Sequence, residues 1–166
     1  MTFILSMLII VYVFIIAHLI YGFNRIKTYE NMVLTPKTYF AIIIPFRNES
    51  SHLPQLLESI KNLNYPKTLF EIILVDDFSE DDTASIVKAI HAEHAHVKLL
   101  KLADFYNADE ISSFKKKAIE KAVGHANGDW IITTDADCIA PKYWLLLYHQ
   151  YIQANNPVFV AAPVMF

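Results

Sequence analysis

Glycine is scarce in this chain: Gly22, Gly124 and Gly128 are the only three in 166 residues. A G-x-G-x-x-G dinucleotide loop cannot be written with them, and neither can a Walker A phosphate loop. A nucleotide, if bound, must be held by carboxylates, a metal ion and helix ends. Cysteine is scarcer still. Cys138 stands alone, which excludes an internal disulfide and a thiolate zinc centre. No His–Asp arrangement marks it as a nucleophile, so it reads as structural. Positive charge is also in short supply. Lys and Arg number 14 against 17 Asp and Glu, a formal net charge of −3, so no basic field points to nucleic acid. Carboxylates vanish from the last stretch: none follows Asp137.

Apolar residues are abundant, at 54% of the chain, and much of the excess lies at the start. Thr2 to Phe23 carries no formal charge. Its 22 residues, as a helix, span roughly 30 Å, the thickness of a hydrocarbon core. No Lys or Arg precedes the run, and Tyr21-Gly22-Phe23-Asn24 is a poor cleavage site. Both points favour a retained membrane anchor over a signal peptide. Arg25 and Lys27 follow it, so the positive-inside rule places the next domain in the cytoplasm, behind a single pass. The expected division is an anchor over 1–24, a juxtamembrane connector over 25–38, and one domain over 39–166.

The domain alternates. Tyr39 to Ile44 is a β-branched apolar run stopped by Pro45, the pattern of a buried strand. Leu53, Leu56, Leu57 and Ile60 fall at helical spacing, which predicts a helix over 51–63 capped by Ser50 or Ser51. A second strand is expected over 70–75, and a helix from Ser79 with Ala84, Val87 and Ile90 inward. A third strand covers 97–102, a loop 103–111, and a helix runs from Ser112 or Ser113 to Ala126. A fourth strand leads into Asp135, Pro141 starts a further helix to about Ala154, and Val158 to Ala162 reads as a last strand. This order predicts a Rossmann-type α/β fold, a mainly parallel sheet with helices on both faces.

In such sheets ligands bind beyond the carboxyl ends of the strands. Arg47-Asn48-Glu49 follows the first strand, Asp76-Asp77 the second and Asp135-Ala136-Asp137 the fourth. Strand alternation, if it persists, points Asp135 and Asp137 the same way. Two like charges on one side call for a cation, and Mg²⁺ takes one or two carboxylates with phosphate oxygens filling its shell. Lys115, Lys116 and Lys117 lie in a first helical turn, where positive charge opposes the macrodipole unless an anion is bound. Lys116 and Lys117 are the expected phosphate-facing members. Arg47 either joins them or neutralises Glu49. His91, His94 and His96 lack a ligand pattern and read as surface residues.

These stretches carry a resemblance. Ile43 to Glu49, then Val75 to Thr83 as D-D-x-S-x-D-x-T, then Lys116-Lys117-Ala118-Ile119 with Ala126-Asn127-Gly128-Asp129 and Asp135-Ala136-Asp137, resemble the motifs of family 2 inverting glycosyltransferases with the GT-A fold. The match runs from about Phe40 to Met165. The resemblance implies a donor site for a nucleoside-diphosphate sugar, typically UDP-linked. Pro45 and Glu49 would lie by the nucleoside, and Asp77 or Asp76 would accept from the base. Lys117 or Lys116 would flank the nucleotide, and Asp135, beside Ala136, would contact ribose or sugar. Asp137, with Asp135, would hold Mg²⁺ or Mn²⁺ on the diphosphate. The ion would neutralise the departing nucleoside diphosphate. Phe78 stands where the family commonly has glycine. The family's acidic acceptor motif, which supplies the general base, and its Q/R-x-x-R-W motif are absent, so the chain is expected to be the donor-binding part of a longer enzyme with an unknown acceptor. Two alternatives remain open at this point. A nucleotidyltransferase would need a glycine-rich loop after the first strand, which Pro45 to Glu49 lacks. A non-catalytic membrane-tethered binding module would need no base.

Overall fold

The computed structural model describes residues 2–25, 34–83, 85–88, 96–110 and 112–162. It falls into two compact units, Met1–Asn31 and Met32–Phe166. The first is a helix, α1 (Thr2–Asn24), long and apolar enough to cross a bilayer. Its apolar side chains point outward all round, with Phe3, Phe14 and Phe23 each more than 70% exposed. The Arg25 guanidinium lies 5.0 Å from the Tyr21 ring at its end. Lys27, Tyr29 and most of the expected connector lie outside the described residues.

The second unit is a four-stranded sheet in the order β3-β2-β1-β4, parallel throughout. The strands are β1 (Phe40–Phe46), β2 (Phe70–Asp76), β3 (Val97–Lys101) and β4 (Trp130–Thr133). The helices are α2 (Leu53–Lys61), α3 (described at 83 and 85–88), α4 (Phe114–Val123) and α5 (Trp144–Asn155). Alternation along the strands builds two cores. Phe40, Ile42, Ile44 and Phe46 pack with Leu53, Leu56, Val87, Leu145 and Ile152, so α2, α3 and α5 cover one face. Ile43, Ile73 and Val75 meet Ala118 and Ala122 of α4 on the other. The GT-A-like sheet with helices on both faces is therefore the observed architecture.

Helices expected from Ser79 and Pro141 start at Thr83 and Trp144, and four further local expectations change. Pro45 does not stop β1, which runs on to Phe46. Trp130 and Thr134 donate to the carbonyls of Tyr39 and Ile43, so odd-numbered β1 residues face β4. The β1–β4 ladder ends at Ile43↔Thr133, and the N–H that proline lacks falls beyond it. Second, the α2 cap is His52, whose side chain turns to Glu49 instead of capping. Third, two short 3₁₀ turns, Leu102–Asp104 and Ala108–Glu110, occupy the expected loop. Fourth, 158–162 forms no strand. The chain leaves α5 through left-handed Asn156, Val158 and Phe159 stay exposed, and no described strand pairs with them. An apolar run satisfies a strand pattern but a ladder needs a partner.

The Ala126-Asn127-Gly128-Asp129 stretch sets where β4 lies. Buried Glu71 on β2 accepts from the Asn127 main-chain N–H and pairs with Lys98 at 2.7 Å. Burial pushes the Glu71 carboxyl up, but Lys98 and Asn127 together outweigh it and hold it below its usual value. Asp129 accepts from the Tyr39 N–H at 3.3 Å.

Residues 34–38 are tied onto α5 by a buried polar cluster. His149, fully buried, bonds the Thr38 hydroxyl through Nδ1 (2.8 Å) and the Thr35 carbonyl through Nε2 (3.0 Å). Nε2–H donates to that carbonyl, so Nδ1 accepts from Thr38 and the ring is neutral. Tyr65 donates to the Thr38 carbonyl at 2.7 Å. Burial holds the His149 pKa below the ordinary 6.5, against the Thr35 bond, which raises it. The folded state binds the proton less well than the unfolded, so this contribution is complete above 6.5 and is lost as pH falls below it. Thermal melts at pH 7.5 and 5.5 should show a drop for the wild type. His149→Asn, which keeps an acceptor for Thr38 but cannot titrate, should flatten it.

Candidate functional site

The strand order changes direction at β1. β2 and β3 are added on one side and β4 on the other, so the loops after β1 and β4 diverge. A cleft of about 280 Å³ opens at that switch point. β1 and its loop supply Pro45, Phe46, Arg47 and Glu49. The end of β2 supplies Asp77, the start of α4 Lys115, and the loop after β4 Asp135, Ala136 and Asp137. Three acidic strand ends thus meet at one edge of the sheet.

The two acids after β2 have different tasks. Asp76 accepts from the Ser79 N–H at 2.9 Å and faces a neighbouring hollow of about 440 Å³ instead of the cleft. Asp77 lines the cleft, and its buried Oδ1 has no hydrogen-bond partner among the described residues. Burial raises the Asp77 pKa, Arg47 draws it down and Asp76 adds to the rise. A buried acceptor without a donor carries a desolvation cost of about 1–3 kcal/mol, which a donor on a ligand removes.

The sequence placed Lys116 and Lys117 on the site. The structure places Lys115 there, with Nζ 2.6 Å from Asp135 Oδ1. Lys117 pairs with Glu120 at 3.0 Å, and Lys116 lines neither hollow. The cause is helical phase. Ala118 and Ala122 form the buried face of α4. Lys115 precedes Ala118 by three residues and so shares that side, while Lys116 and Lys117 rotate away. The burial of these two alanines sets the phase. Strand alternation does not govern Asp135 and Asp137 either, because β4 ends at Thr133 and Ala136-Asp137 form a turn. Both aspartates are nevertheless exposed on the cleft wall, with Ala136 buried between them. The Cys138 thiol points at Asp137 across 3.9 Å.

Arg47 pairs with Glu80 at 3.5 Å and lies over the Phe114 ring at 5.7 Å. It does not pair with Glu49, whose carboxylate takes His52 Nδ1 at 2.9 Å. Sequence reasoning missed Phe46 and His52 here. Phe78 adopts φ 54°, the left-handed region that glycine favours and that costs other residues roughly 1–2 kcal/mol. Its edge-on contact with Phe114, at 5.9 Å, is the compensation on view. Of the three histidines, His91 and His94 lie outside the described residues, and His96 packs edge-on to Phe70 at 5.8 Å. Among the described residues, no three His, Cys, Asp or Glu side chains gather into a metal ligand set.

This geometry has counterparts. The model of the family "Glycosyl transferase family 2" matches residues 41–166. The chain belongs to glycosyl transferase family 2. A family relative, the undecaprenyl-phosphate 4-deoxy-4-formamido-L-arabinose transferase of Proteus mirabilis, is 37% identical over 103 residues, 61% of this chain and 29% of that protein. Among solved structures, S. aureus TarS 1–349 in complex with UDP-GlcNAc is similar at a TM-score of 0.60 and 27% identity, over 71% of this chain and 32% of that one. The mannosyltransferase PcManGT of Pyrobaculum calidifontis, in complex with GDP-Man and Mn²⁺, gives 0.59 and 26%, over 70% and 33%. The chain therefore spans about a third of the length of these proteins.

Proposed function

We propose that this chain is the donor-binding part of a membrane-anchored glycosyltransferase, taking a UDP-linked sugar in the cleft between β1 and β4. The observation that carries this is Asp77, which lines a cleft that also bears Asp135 and Asp137 and whose buried Oδ1 has no hydrogen-bond partner among the described residues. Asp77 accepts from the base, with Pro45 and Glu49 beside the nucleoside. Arg47 and Lys115 supply positive charge toward the diphosphate. Asp76 serves the loop, and Lys116 and Lys117 stay at the surface.

The donor set fits a hard divalent ion only in part. Two exposed carboxylates suit Mg²⁺ or Mn²⁺ when phosphate oxygens complete the shell. Asp137 would be the principal ligand with Asp135 beside it, and Lys115, now paired with Asp135, would be available to the phosphates. The ion, when bound, neutralises charge on the leaving nucleoside diphosphate. The residues here hold and orient a leaving group, and acceptor deprotonation falls to a base outside this set. α1 over 1–24 is the anchor, 25–38 the link, and the bilayer brings the domain to its acceptor on the cytoplasmic side. The lipid-phosphate name of the Proteus relative supports an acceptor at a membrane.

Calorimetric titration of the full chain in detergent tests this. UDP with Mn²⁺ should bind, and chelation should weaken binding. Asp137→Ala should make UDP affinity indifferent to Mn²⁺. Silence at millimolar UDP, or full Mn²⁺ dependence in Asp137→Ala, would sink the reading.

A further inference from the structure

We propose that Asn48, Ser79 and Asp81 form a clamp between the β1–α2 and β2–α3 loops that positions Arg47, Glu49 and Asp77 before a ligand arrives. The inference rests on reading the cleft as the donor site. It starts from an oddity: each loop holds one non-glycine residue in the left-handed region, Asn48 at φ 56° and Phe78 at φ 54°. Asparagine tolerates that region because its short side chain can bond locally. Here the side chain bonds across to the other loop instead.

Three bonds cross the gap. Asn48 N–H donates to Ser79 Oγ at 3.2 Å, Glu80 N–H donates to Asn48 Oδ1 at 2.8 Å, and Ser50 N–H donates to Asp81 Oδ2 at 3.3 Å. Beneath them Asp77 N–H donates to the Phe46 carbonyl at 2.9 Å. Three bonds stiffen the second loop internally: Ser79 N–H to Asp76 Oδ1 at 2.9 Å, Thr83 N–H to Asp81 Oδ1 at 3.1 Å, and the Thr83 hydroxyl to the same oxygen. Arg47 and Glu80 add an ion pair in the same place, at 3.5 Å.

None of Asn48, Ser79 and Asp81 lines the cleft, yet residues one or two positions from Asn48 and Ser79 do. Asn48 stands between Arg47 and Glu49, and Ser79 lies two residues past Asp77. The D-x-x-S-x-D-x-T spacing acquires a physical reason. Asp76, Ser79 and Asp81 are occupied in holding main chain and the Thr83 hydroxyl in holding Asp81, which leaves Asp77 to face the ligand. Short polar side chains tie the two loops together, above the Asp77–Phe46 main-chain bond. Ordering them in advance spares the ligand that entropy on binding.

The test compares Asn48→Gly, which keeps the left-handed backbone and removes the acceptor, with Asp81→Ala and the double variant, all in the full chain. Asn155→Ala is the control, because Asn155 also makes an exposed side-chain bond, to the Tyr151 carbonyl at 3.0 Å. UDP with Mn²⁺ should bind about tenfold more weakly to each single variant, as expected for ordering one or two groups on binding. The double variant should be little worse than either, since one device is removed once. Asn155→Ala should bind like wild type at a comparable melting temperature. In ligand-free protein the Glu80 amide should exchange faster in Asn48→Gly. Wild-type affinity in the clamp variants overturns the inference, and so does unchanged Glu80 exchange. A wild-type chain silent to UDP instead overturns the donor-site reading, a different and separately visible failure.

Discussion

Asp77→Ala should weaken UDP binding by roughly 30- to 150-fold, about 2–3 kcal/mol, while leaving the ligand-free protein as stable at pH 7 as wild type or more so. The two halves of this expectation have one cause. Asp77 Oδ1 is buried and has no partner among the described residues, so the folded protein bears its desolvation until a donor arrives. Burial raises the folded pKa above the ordinary 3.8, with Asp76 adding to the rise and Arg47 opposing it. Between those two values the folded state holds the proton better than the unfolded one. Stability from this group is therefore greatest below 3.8 and falls as pH rises through the folded pKa. Removing the carboxyl removes that descending limb. Calorimetry reads the affinity, and thermal melts from pH 4 to 7 read the stability. A loss of several kcal/mol in stability at pH 7 would show that Asp77 is structural and would end its assignment to a ligand.

Gly128→Ala should cost about 3 kcal/mol or prevent folding, the range of a forced overpacking. A Cβ at 128 would stand 2.4 Å from the Ala41 nitrogen and 2.7 Å from the Phe40 carbonyl carbon. These are main-chain atoms of the central strand, locked between β2 and β4. They cannot turn aside as a flexible side chain could. β4 must move out instead, which strains the Trp130 N–H to Tyr39 carbonyl bond and carries Asp135 and Asp137 away from β1. Urea unfolding followed by circular dichroism measures the loss. Ala41→Gly gives a sharp control, because it removes a side chain but not the blocking atoms. Rescue of Gly128→Ala by Ala41→Gly would show that the clash is with the Ala41 methyl and that the backbone argument is wrong.

Much of this was legible in the chain because strands and helices leave different periods. The run 40–46 and the spacing of Leu53, Leu56, Leu57 and Ile60 each fit one element, and the acidic strand ends then fall at one sheet edge by topology alone. Pairing was not legible. Nothing in the alternation says that Asp76 turns to Ser79 and Asp77 to the cleft, since a strand that ends between two adjacent acids gives each a different fate. Which lysine lies beside Asp135 was not legible because three in a row hide the helix phase, which Ala118 and Ala122 reveal only once their burial is known. Val158 to Ala162 shows the opposite failure, a strand-like composition with no ladder to join among the described residues. Gly128 looked like one glycine among three, and its need for close backbone approach appears only with β1 beside it.

β1 continues through Ile44, Pro45 and Phe46 after its last pair with β4. Three unmatched residues at about 3.3 Å each make a step of roughly 10 Å in the sheet's edge. The opening between Arg47 and Asp135 is therefore a difference in strand length. Its depth is counted in residues and does not depend on how side chains happen to pack, so a molecule that fits it is measured against a ruler made of main chain.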